Sequence, residues 1–183
     1  MQRLAGRGPT LLCALALAFP LTACANLRMP ALPFMGESKP PVETLTPQQI
    51  YLDAEALLAD GRPREAGEMF GEIERLYPYS DWAKRAMLIS AFAYHEGALY
   101  AEGPGAAERY LEFFPADVDA PYAQFIIALS YYDQIVDIGR DQENTFQALQ
   151  EMRDIIERYP DSEYAASAQM KFAAQNERWG APR

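Results

Sequence analysis

The sequence predicts an all-α fold made of helix-turn-helix repeats, about three repeats followed by one extra helix. Beyond Thr44, apolar residues recur at intervals of three and four, and no stretch alternates strictly between apolar and polar residues. An aromatic residue followed by proline occurs three times, at Tyr77-Pro78, Phe114-Pro115 and Tyr159-Pro160. Each pair should end a helix, because proline lacks an amide donor and clashes with the preceding turn.

Small residues at constant distances from these prolines set the register of the units. Twelve residues before each proline lie Ala66, Gly103 and Ala148, and thirteen residues after each lie Ala91, Ala128 and Ala173. Small side chains at these places let paired helices approach closely, as stacked helix-turn-helix repeats require. The alternative is an irregular helical bundle, which has no reason to place three units in phase with the same stop signal.

The first 23 residues have the layout of a secretory signal. Arg3 and Arg7 precede a short apolar run over residues 11–19, which is too short to remain as a membrane-spanning helix. The tetrad Leu21-Thr22-Ala23-Cys24 follows and resembles the bacterial lipobox. We therefore expect residues 1–23 to be removed. The alternative is an ordinary signal peptide with a chance cysteine near its cleavage site.

The lipobox resemblance implies that Cys24 becomes the acylated first residue of the mature protein. Acyl chains such as palmitate would then anchor the protein in the membrane without a spanning helix. Ala25 follows the cysteine, and a residue other than aspartate there implies sorting to the outer membrane, with the domain on the periplasmic face. Cys13 lies in the discarded segment, so the mature chain should have no internal disulfide.

Composition excludes a nucleic-acid-binding class. The formal charge is −10 and becomes −12 once Arg3 and Arg7 are removed, whereas binding to phosphates needs clustered Lys and Arg. The same acidity argues against broad docking onto anionic lipid, so the acyl anchor must hold the membrane. Half of all residues are hydrophobic, which is enough for the core of one domain.

Residues 24–45 should form a flexible tether. They contain Pro30, Pro33, Pro40 and Pro41 and show no helical period, a pattern that favours extended chain. The tether would hold the domain away from the membrane. Its apolar residues could instead dock on a partner; they are Met29, Leu32, Phe34 and Met35.

The repeat domain should occupy residues 46–179, with a short tail at 180–183. Thr46-Pro47 looks like a helix cap followed by proline in the first turn. In the first unit, Ala54, Gly61 and Phe70 lie at positions that resemble the tetratricopeptide repeat when Pro78 is set as position 32 of 34. This match predicts a helix before Gly61 and a second helix from there to the first stop.

The second and third units depart from this pattern in different ways. The second has Gly103-Pro104-Gly105 where its second helix should begin, so that helix should start late or be short. The third has about eight extra residues between its helices, around residues 137–142. The last helix, about residues 162–178, carries an apolar stripe at helical spacing that we expect to be uncovered; its members are Ala165, Ala168, Phe172 and Trp179.

The whole chain resembles the BamD (ComL) family of outer-membrane assembly lipoproteins. The resemblance rests on the lipobox, the proline-containing tether and three motifs, which are Tyr94-His95, the run from Leu129 to Gln142, and Arg158-Tyr159-Pro160-Asp161-Ser162. The middle run is the most specific, because generic tetratricopeptide repeats do not require it. Family members usually carry about five units, so we expect this sequence to lack the family's C-terminal repeats, which are associated with docking to other Bam components.

The resemblance implies a role in the outer-membrane protein assembly machinery rather than an enzymatic one. The implied partners are a BamA-like outer-membrane barrel protein, other Bam components, unfolded outer-membrane proteins and, through the lipid anchor, the membrane itself. The alternative is a periplasmic tetratricopeptide scaffold that coordinates envelope or cell-wall proteins. Co-purification with a BamA-like barrel protein would separate the two.

In a tetratricopeptide array, positions 2, 5, 9, 12 and 13 of each first helix line the concave face. The candidate substrate-binding groove therefore contains Tyr51, Arg85, Phe92, His95, Tyr122, Phe125 and Tyr132, flanked by Gln48, Glu55, Leu58, Ala59, Leu88, Glu96, Leu129 and Asp133. Aromatic rings offer large contact area in several poses, which suits an extended segment of an unfolded barrel strand. The alternative is that these rings pack between helices.

The sequence indicates no catalytic residue, cofactor or metal. His95 is the only histidine and has no cysteine to pair with in the mature chain, so a structural role is expected. Asp137, Asp141 and Glu143 do not match the spacing of a calcium loop. We instead expect a partner-contacting loop at Asp137, Arg140 and Asp141. The alternative is a solvated turn that caps the next helix through Asn144 or Thr145.

Overall fold

The computed structural model describes residues 40–136 and 140–180, the side chains of residues 179 and 180 excepted. The described residues form helices and no strand, which confirms the predicted all-α class. The elements are a short 3-10 helix at Val42–Thr44 and the α-helices α1 (Pro47–Ala59), α2 (Pro63–Leu76), α3 (Asp81–Glu96), α4 (Gly103–Phe113), α5 (Ala120–Tyr132), α6 (Gln142–Arg158) and α7 (Glu163–Gly180). The signal segment, Cys24, the tether up to residue 39 and residues 181–183 lie outside the described residues.

The helices form two layers, as helix-turn-helix units predict. Each of α2, α4 and α6 packs between two consecutive odd-numbered helices, and α1, α3, α5 and α7 also contact one another in sequence. We call α1, α3, α5 and α7 the inner row and α2, α4 and α6 the outer row. Because α3, α5 and α7 each follow an outer helix through a short loop, the inner helices all run in the same direction.

The three aromatic-proline pairs end the outer helices in the same conformation. Tyr77, Phe114 and Tyr159 are the C-caps of α2, α4 and α6, with φ of −135°, −131° and −131° and ψ of 52°, 53° and 52°. Their backbone amides still donate to carbonyls of the last turn, at 2.8, 2.8 and 2.9 Å. The next residue, a proline in each case, cannot continue the helix. The predicted stops are therefore confirmed.

Local capping sets the starts of α1 and α3. The Thr46 hydroxyl accepts a bond from the Gln49 amide, and the Gln49 side chain accepts one from the Thr46 amide at 2.9 Å, which together form a capping box. The Ser80 hydroxyl accepts from the Ala83 amide at 3.2 Å. Gly61, between α1 and α2, has φ of +72°, a left-handed conformation that glycine adopts without strain.

The register of small residues is confirmed in the first three units. Ala66, Ala91, Ala128 and Ala148 have no exposed surface, and Gly103 is buried. At Ala173 the prediction is wrong, because this residue of α7 is exposed. Its equivalents on α3 and α5 are covered by the outer helices α4 and α6, whereas no outer helix packs on that face of α7 within the described residues.

The core consists of three neighbouring clusters that follow the units. Ile50, Phe70 and Ile73 form the centre of the first; Tyr110, Ile126 and Ile127 belong to the second; Met152 and Ile155 belong to the third. Each fully buried side chain of this size stabilises the fold by about 1.5–3 kcal/mol relative to leaving it exposed.

The predicted irregularities of the second and third units have structural counterparts. The helix α4 has 11 residues, fewer than α2 with 14 and α6 with 17, as its glycine-proline start indicates. Residues 133–141 connect α5 to α6. The extra length of the third unit is divided between this connection and additional residues at the N-terminus of α6. An outer helix can be longer at its N-terminus while its C-terminus still ends at the aromatic-proline pair.

Two boundaries differ from the sequence predictions. The folded domain begins before residue 46, because Val42 and Leu45 pack against the first core cluster. The stripe on α7 is not uncovered, because Ala165, Ala168 and Phe172 belong to or pack against the third core cluster together with α6 residues. The side chain of Trp179 lies outside the described part of the chain.

Candidate functional site

Two cavities lie along the inner helices α1 and α3, and Tyr110 of α4 and Asp119 before α5 also line the first of them. The first has a volume of about 530 Å³ and lies at the N-terminal half of these helices. The second, of about 380 Å³, lies at their C-terminal half. Tyr51 and Ile89 line both cavities. Because they share these two residues, the cavities adjoin, and we call the pair the α1–α3 groove.

The first cavity combines charged, aromatic and aliphatic side chains. Its lining is Tyr51, Asp81, Lys84, Arg85, Leu88, Ile89, Tyr110 and Asp119. The Arg85 side chain is exposed, and its guanidinium carbon lies 6.0 Å from the centre of the Trp82 ring, within reach of a cation–π interaction. This cavity therefore presents a cation beside aromatic and aliphatic surface.

Tyr51 is held in place by two other rings. Its ring centre lies 5.1 Å from that of Phe70 in an edge-to-face arrangement and 5.0 Å from that of Trp82, distances typical of favourable aromatic pairs. Burial raises the pKa of the Tyr51 hydroxyl, the nearby Glu55 carboxylate raises it further, and Arg85 lowers it. Tyr51 is thus a neutral, rigid wall of both cavities at physiological pH.

The second cavity is mostly apolar. It is lined by Tyr51, Glu55, Leu58, Ala59, Ile89 and Phe92. All of these residues except Ile89 lie at repeat positions for which the sequence predicts the concave face. The in-register pairing of α1 with α3 brings them together, because the two helices run in the same direction and start at the same end of the domain.

The wall of the first cavity is held by a polar cluster that the sequence did not reveal. The Tyr110 hydroxyl donates to Asp117 Oδ1 at 2.7 Å, and Lys84 forms an ion pair with Asp117 Oδ2. Lys84 and, to a lesser extent, Tyr110 hold the pKa of Asp117 at about 2. Burial and the bond to Asp117 raise the pKa of Tyr110 far above its usual range. This cluster ties the loop between α4 and α5 to α3.

His95 lies in the last turn of α3, where its contacts indicate a structural role. Its Nε2 atom is 3.0 Å from Asp133 Oδ2, and its ring centre is 5.6 Å from that of Tyr100. The pair joins the C-terminal end of α3 to the residue after α5. The described residues contain no group of three or more His, Cys, Asp or Glu side chains that could hold a metal ion.

Three aromatic residues of α5, Tyr122, Phe125 and Tyr132, contact side chains of α7. The ring centres of Tyr122 and Phe125 lie 5.3 and 5.4 Å from that of Tyr164, and Lys171 Nζ lies 4.5 Å from the centre of the Tyr132 ring. Burial, with smaller contributions from Tyr164 and Glu96, raises the pKa of Tyr122 to about 12. Of the groove residues predicted from the repeat register, Tyr51, Arg85 and Phe92 line the two cavities. Tyr122, Phe125 and Tyr132 instead contact α7.

Part of the loop predicted to contact a partner can be described. Arg140 is exposed, with Nε 3.8 Å from Asp141 Oδ1, and Asp141 Oδ2 accepts the Val136 amide at 3.0 Å. Asp137 lies outside the described residues. Thr145 lies inside α6, where its hydroxyl donates to the Asp141 carbonyl at 2.9 Å, so it does not cap the helix from its start. Asp141 occupies the N-cap position without a side-chain capping bond.

Comparison with known proteins places the chain among outer-membrane lipoproteins. The family YfiO, described as an outer membrane lipoprotein, matches residues 43–181. The outer membrane protein assembly factor BamD of Caulobacter vibrioides is 36% identical over 173 residues, which cover 94% of this chain and 54% of the relative. The BamD of Rickettsia prowazekii is 30% identical over 128 residues, or 70% of this chain and 51% of the relative.

A third relative extends the same pattern. The BamD of Vibrio cholerae is 25% identical over 146 residues, which cover 74% of this chain and 61% of the relative. The chain spans about half the length of the curated relatives it matches. Within the described residues, every helix falls short of the length and apolar character that crossing a bilayer requires.

Proposed function

This chain belongs to the YfiO family of outer membrane lipoproteins, and on that premise we propose that it serves in the machinery that assembles β-barrel proteins into the outer membrane. Its relatives bear the name of an outer membrane protein assembly factor. In this proposal the chain aids recognition and insertion of unfolded outer-membrane proteins, and a BamA-like barrel protein and other Bam components are its partners. Its role is binding rather than catalysis.

The observation that carries the proposal is the α1–α3 groove. An extended or hairpin segment of a barrel strand carries aromatic and aliphatic side chains that alternate with polar ones. The apolar second cavity suits an aromatic or aliphatic side chain of such a segment, and Arg85 in the first cavity can donate hydrogen bonds to its carbonyl or carboxylate oxygens. Rigid rings beside the cavities supply contact area at little cost in side-chain entropy.

The covered rings on α5 have a different place in this proposal. Tyr122, Phe125 and Tyr132 contact Tyr164 and Lys171 of α7, so a substrate would reach them only beside those side chains. In this proposal they support the concave face. The residues that contact the substrate are then Tyr51, Arg85 and Phe92. His95 joins α3 to Asp133 at the end of the same face.

Replacing Arg85 or Phe92 by alanine should weaken binding of a peptide from an unfolded barrel strand by about fivefold or more, because truncation of an interface anchor typically costs over about 1 kcal/mol. Fluorescence anisotropy with a labelled peptide measures the effect. Arg64→Ala is the matched control, since Arg64 lies on the outer helix α2 in an exposed pair with Glu102. Unchanged affinity in both groove variants would remove the groove from the proposal.

Anchoring through Cys24 completes the proposal and places the domain at the periplasmic face of the outer membrane. Cys24→Ser should abolish acylation, leave the chain uncleaved or soluble, and make its processing insensitive to inhibitors of lipoprotein signal peptidase. Radiolabelled palmitate incorporation and membrane fractionation measure this. Cys13→Ser, which alters the other cysteine, should be processed like the unaltered protein. Acylation and outer-membrane sorting of the Cys24→Ser variant would contradict the assignment.

The connection at Asp137, Arg140 and Asp141 is the proposed contact to another assembly component, supported by the exposed side chain of Arg140. Co-purification with a BamA-like barrel protein distinguishes this function from that of a periplasmic scaffold for envelope or cell-wall proteins. Recovery of the barrel protein supports the proposal, whereas its absence under conditions that preserve the complex contradicts it.

A further inference from the structure

Exposed apolar side chains lie at one end of the domain, where the inner helices begin. We call this the proline end; it consists of the loops 77–80 and 114–119 together with residues 41–46. Tyr79 is fully exposed, Val118 is 85% exposed and Phe113 is 61% exposed. Tyr79 and Val118 occupy equivalent places, each directly before the N-cap of an inner helix.

The exposure of these two residues departs from the usual local packing. An apolar residue directly before an N-cap commonly packs on the first turns of its own helix as a hydrophobic staple. Leu45 holds the same place before α1 and is partly buried against the core. Tyr79 and Val118 instead project into solvent from equivalent loops, where a covering surface would remove their apolar area from water.

The chain reaches the domain at this same end. The Leu45 carbonyl accepts a bond from the Tyr77 hydroxyl at 2.6 Å, and Glu43 Oε1 lies 3.5 Å from Arg75 Nη2. Residues 41–45 therefore lie against the loop that carries Tyr79. Fifteen residues separate Cys24 from Pro40, a distance of at most about 55 Å for extended chain. The tether therefore enters the domain at the proline end.

The charges at the proline end define the kind of surface that fits. Asp81, Glu112 and Asp119 are exposed, and Arg85 is an exposed cation near them. Two other neighbouring cations are engaged, Lys84 with Asp117 and Arg75 with Glu43 and Glu72. This acidity repels anionic lipid. A zwitterionic lipid surface carries no net charge, and tyrosine is enriched at such interfaces because its ring is apolar and its hydroxyl polar.

We propose that the proline end rests on the zwitterionic lipid interface of the membrane that holds the anchor, with Tyr79 and Val118 as the contacting side chains. The inference rests on the anchoring part of the proposed function and adds an orientation to it. Because Asp81, Arg85 and Asp119 line the first cavity near this end, the orientation brings the open groove close to the bilayer surface, where a barrel strand must be delivered.

The mature acylated chain can be labelled at a single introduced cysteine, because the sequence after Cys24 contains no other cysteine. Val118→Cys labelled with the environment-sensitive dye NBD reports on the proline end, and Ala101→Cys, exposed in the loop between α3 and α4, reports on the opposite end. The acylated protein is reconstituted into vesicles of phosphatidylcholine and phosphatidylethanolamine. At position 118 we expect the NBD emission to rise by about twofold or more and to be quenched by nitroxide-labelled lipid. At position 101 we expect no rise in emission and no quenching. Tyr79→Ser in the Val118 probe should reduce this signal.

The outcomes separate this inference from the proposal beneath it. Protein that floats with the vesicles while the probe at position 118 stays in water contradicts the orientation and leaves the anchor intact. Protein that does not float contradicts the anchor and the orientation together. Equal signals at positions 118 and 101, or shielding of position 118 that needs an added BamA-like protein, also overturn the inference, the latter in favour of a protein contact.

Discussion

Replacing Ala91 by leucine should lower the free energy of unfolding by about 1 to 3 kcal/mol, the usual cost of overpacking a filled core. Ala91 has no exposed surface and belongs to the second core cluster together with Ala106 and Ala107 of α4. A larger side chain at this position would have to displace closely packed neighbours. Urea denaturation of the two proteins measures the difference.

The matched control is the same substitution at the same register position on α7. Ala173→Leu should change stability by less than about 0.5 kcal/mol, because Ala173 is exposed. Lys171→Ala is a less suitable surface control, because Lys171 lies over the Tyr132 ring. Equal losses for Ala91→Leu and Ala173→Leu would show that the packing assigned to the α3–α4 pair is wrong.

Replacing Asp117 by asparagine should cost about 1 to 2 kcal/mol at pH 7, because it removes the ion pair with Lys84 and weakens the bond from Tyr110. The folded protein holds the pKa of Asp117 at about 2, below its ordinary value of 3.8. A lowered carboxyl pKa stabilises the fold above the unfolded value, and this contribution is lost as the pH falls through the folded value. The difference between the two proteins should therefore shrink between about pH 4 and pH 2.

Urea denaturation at pH 7, 4 and 2 tests this prediction. The control is Asp119→Asn, two residues along the same loop, where the side chain makes no capping bond; its effect should stay below about 0.5 kcal/mol. A stability difference for Asp117→Asn that stays constant down to pH 2 would show that the ionised carboxylate is not what secures the loop to α3. Weaker peptide binding in the same variant would connect this cluster to the shape of the groove.

Much of the fold can be predicted from the sequence because its signals act over a few residues. Proline after Tyr77, Phe114 and Tyr159 stops a helix wherever the rest of the chain lies. The capping box at Thr46 closes within one turn. The alanine register also succeeds in three units, because identical stops impose the same phase on the helix that comes after each of them.

The groove is predicted only in part, because its lining depends on which helix covers each face. Tyr51, Arg85 and Phe92 line open cavities, whereas Tyr122 and Phe125, at comparable repeat positions, are covered by Tyr164. A repeat register identifies the face of a helix but not the size of the side chain that the next helix sets against it. Ile89 escapes the sequence prediction for a related reason, since it lies outside the usual spacing of concave positions yet borders both cavities.

The helix stops, the caps and the order of the units follow from the sequence alone, since each depends on residues that are neighbours along the chain. Packing between helices settles the exposure of Ala173, the contacts of the α5 rings with α7, and the meeting of Lys84, Tyr110 and Asp117. Lys84 and Asp117 are 33 positions apart, and His95 and Asp133 are 38 apart. Such pairs form when helices stack, and no local pattern records how closely two side chains from separate units approach.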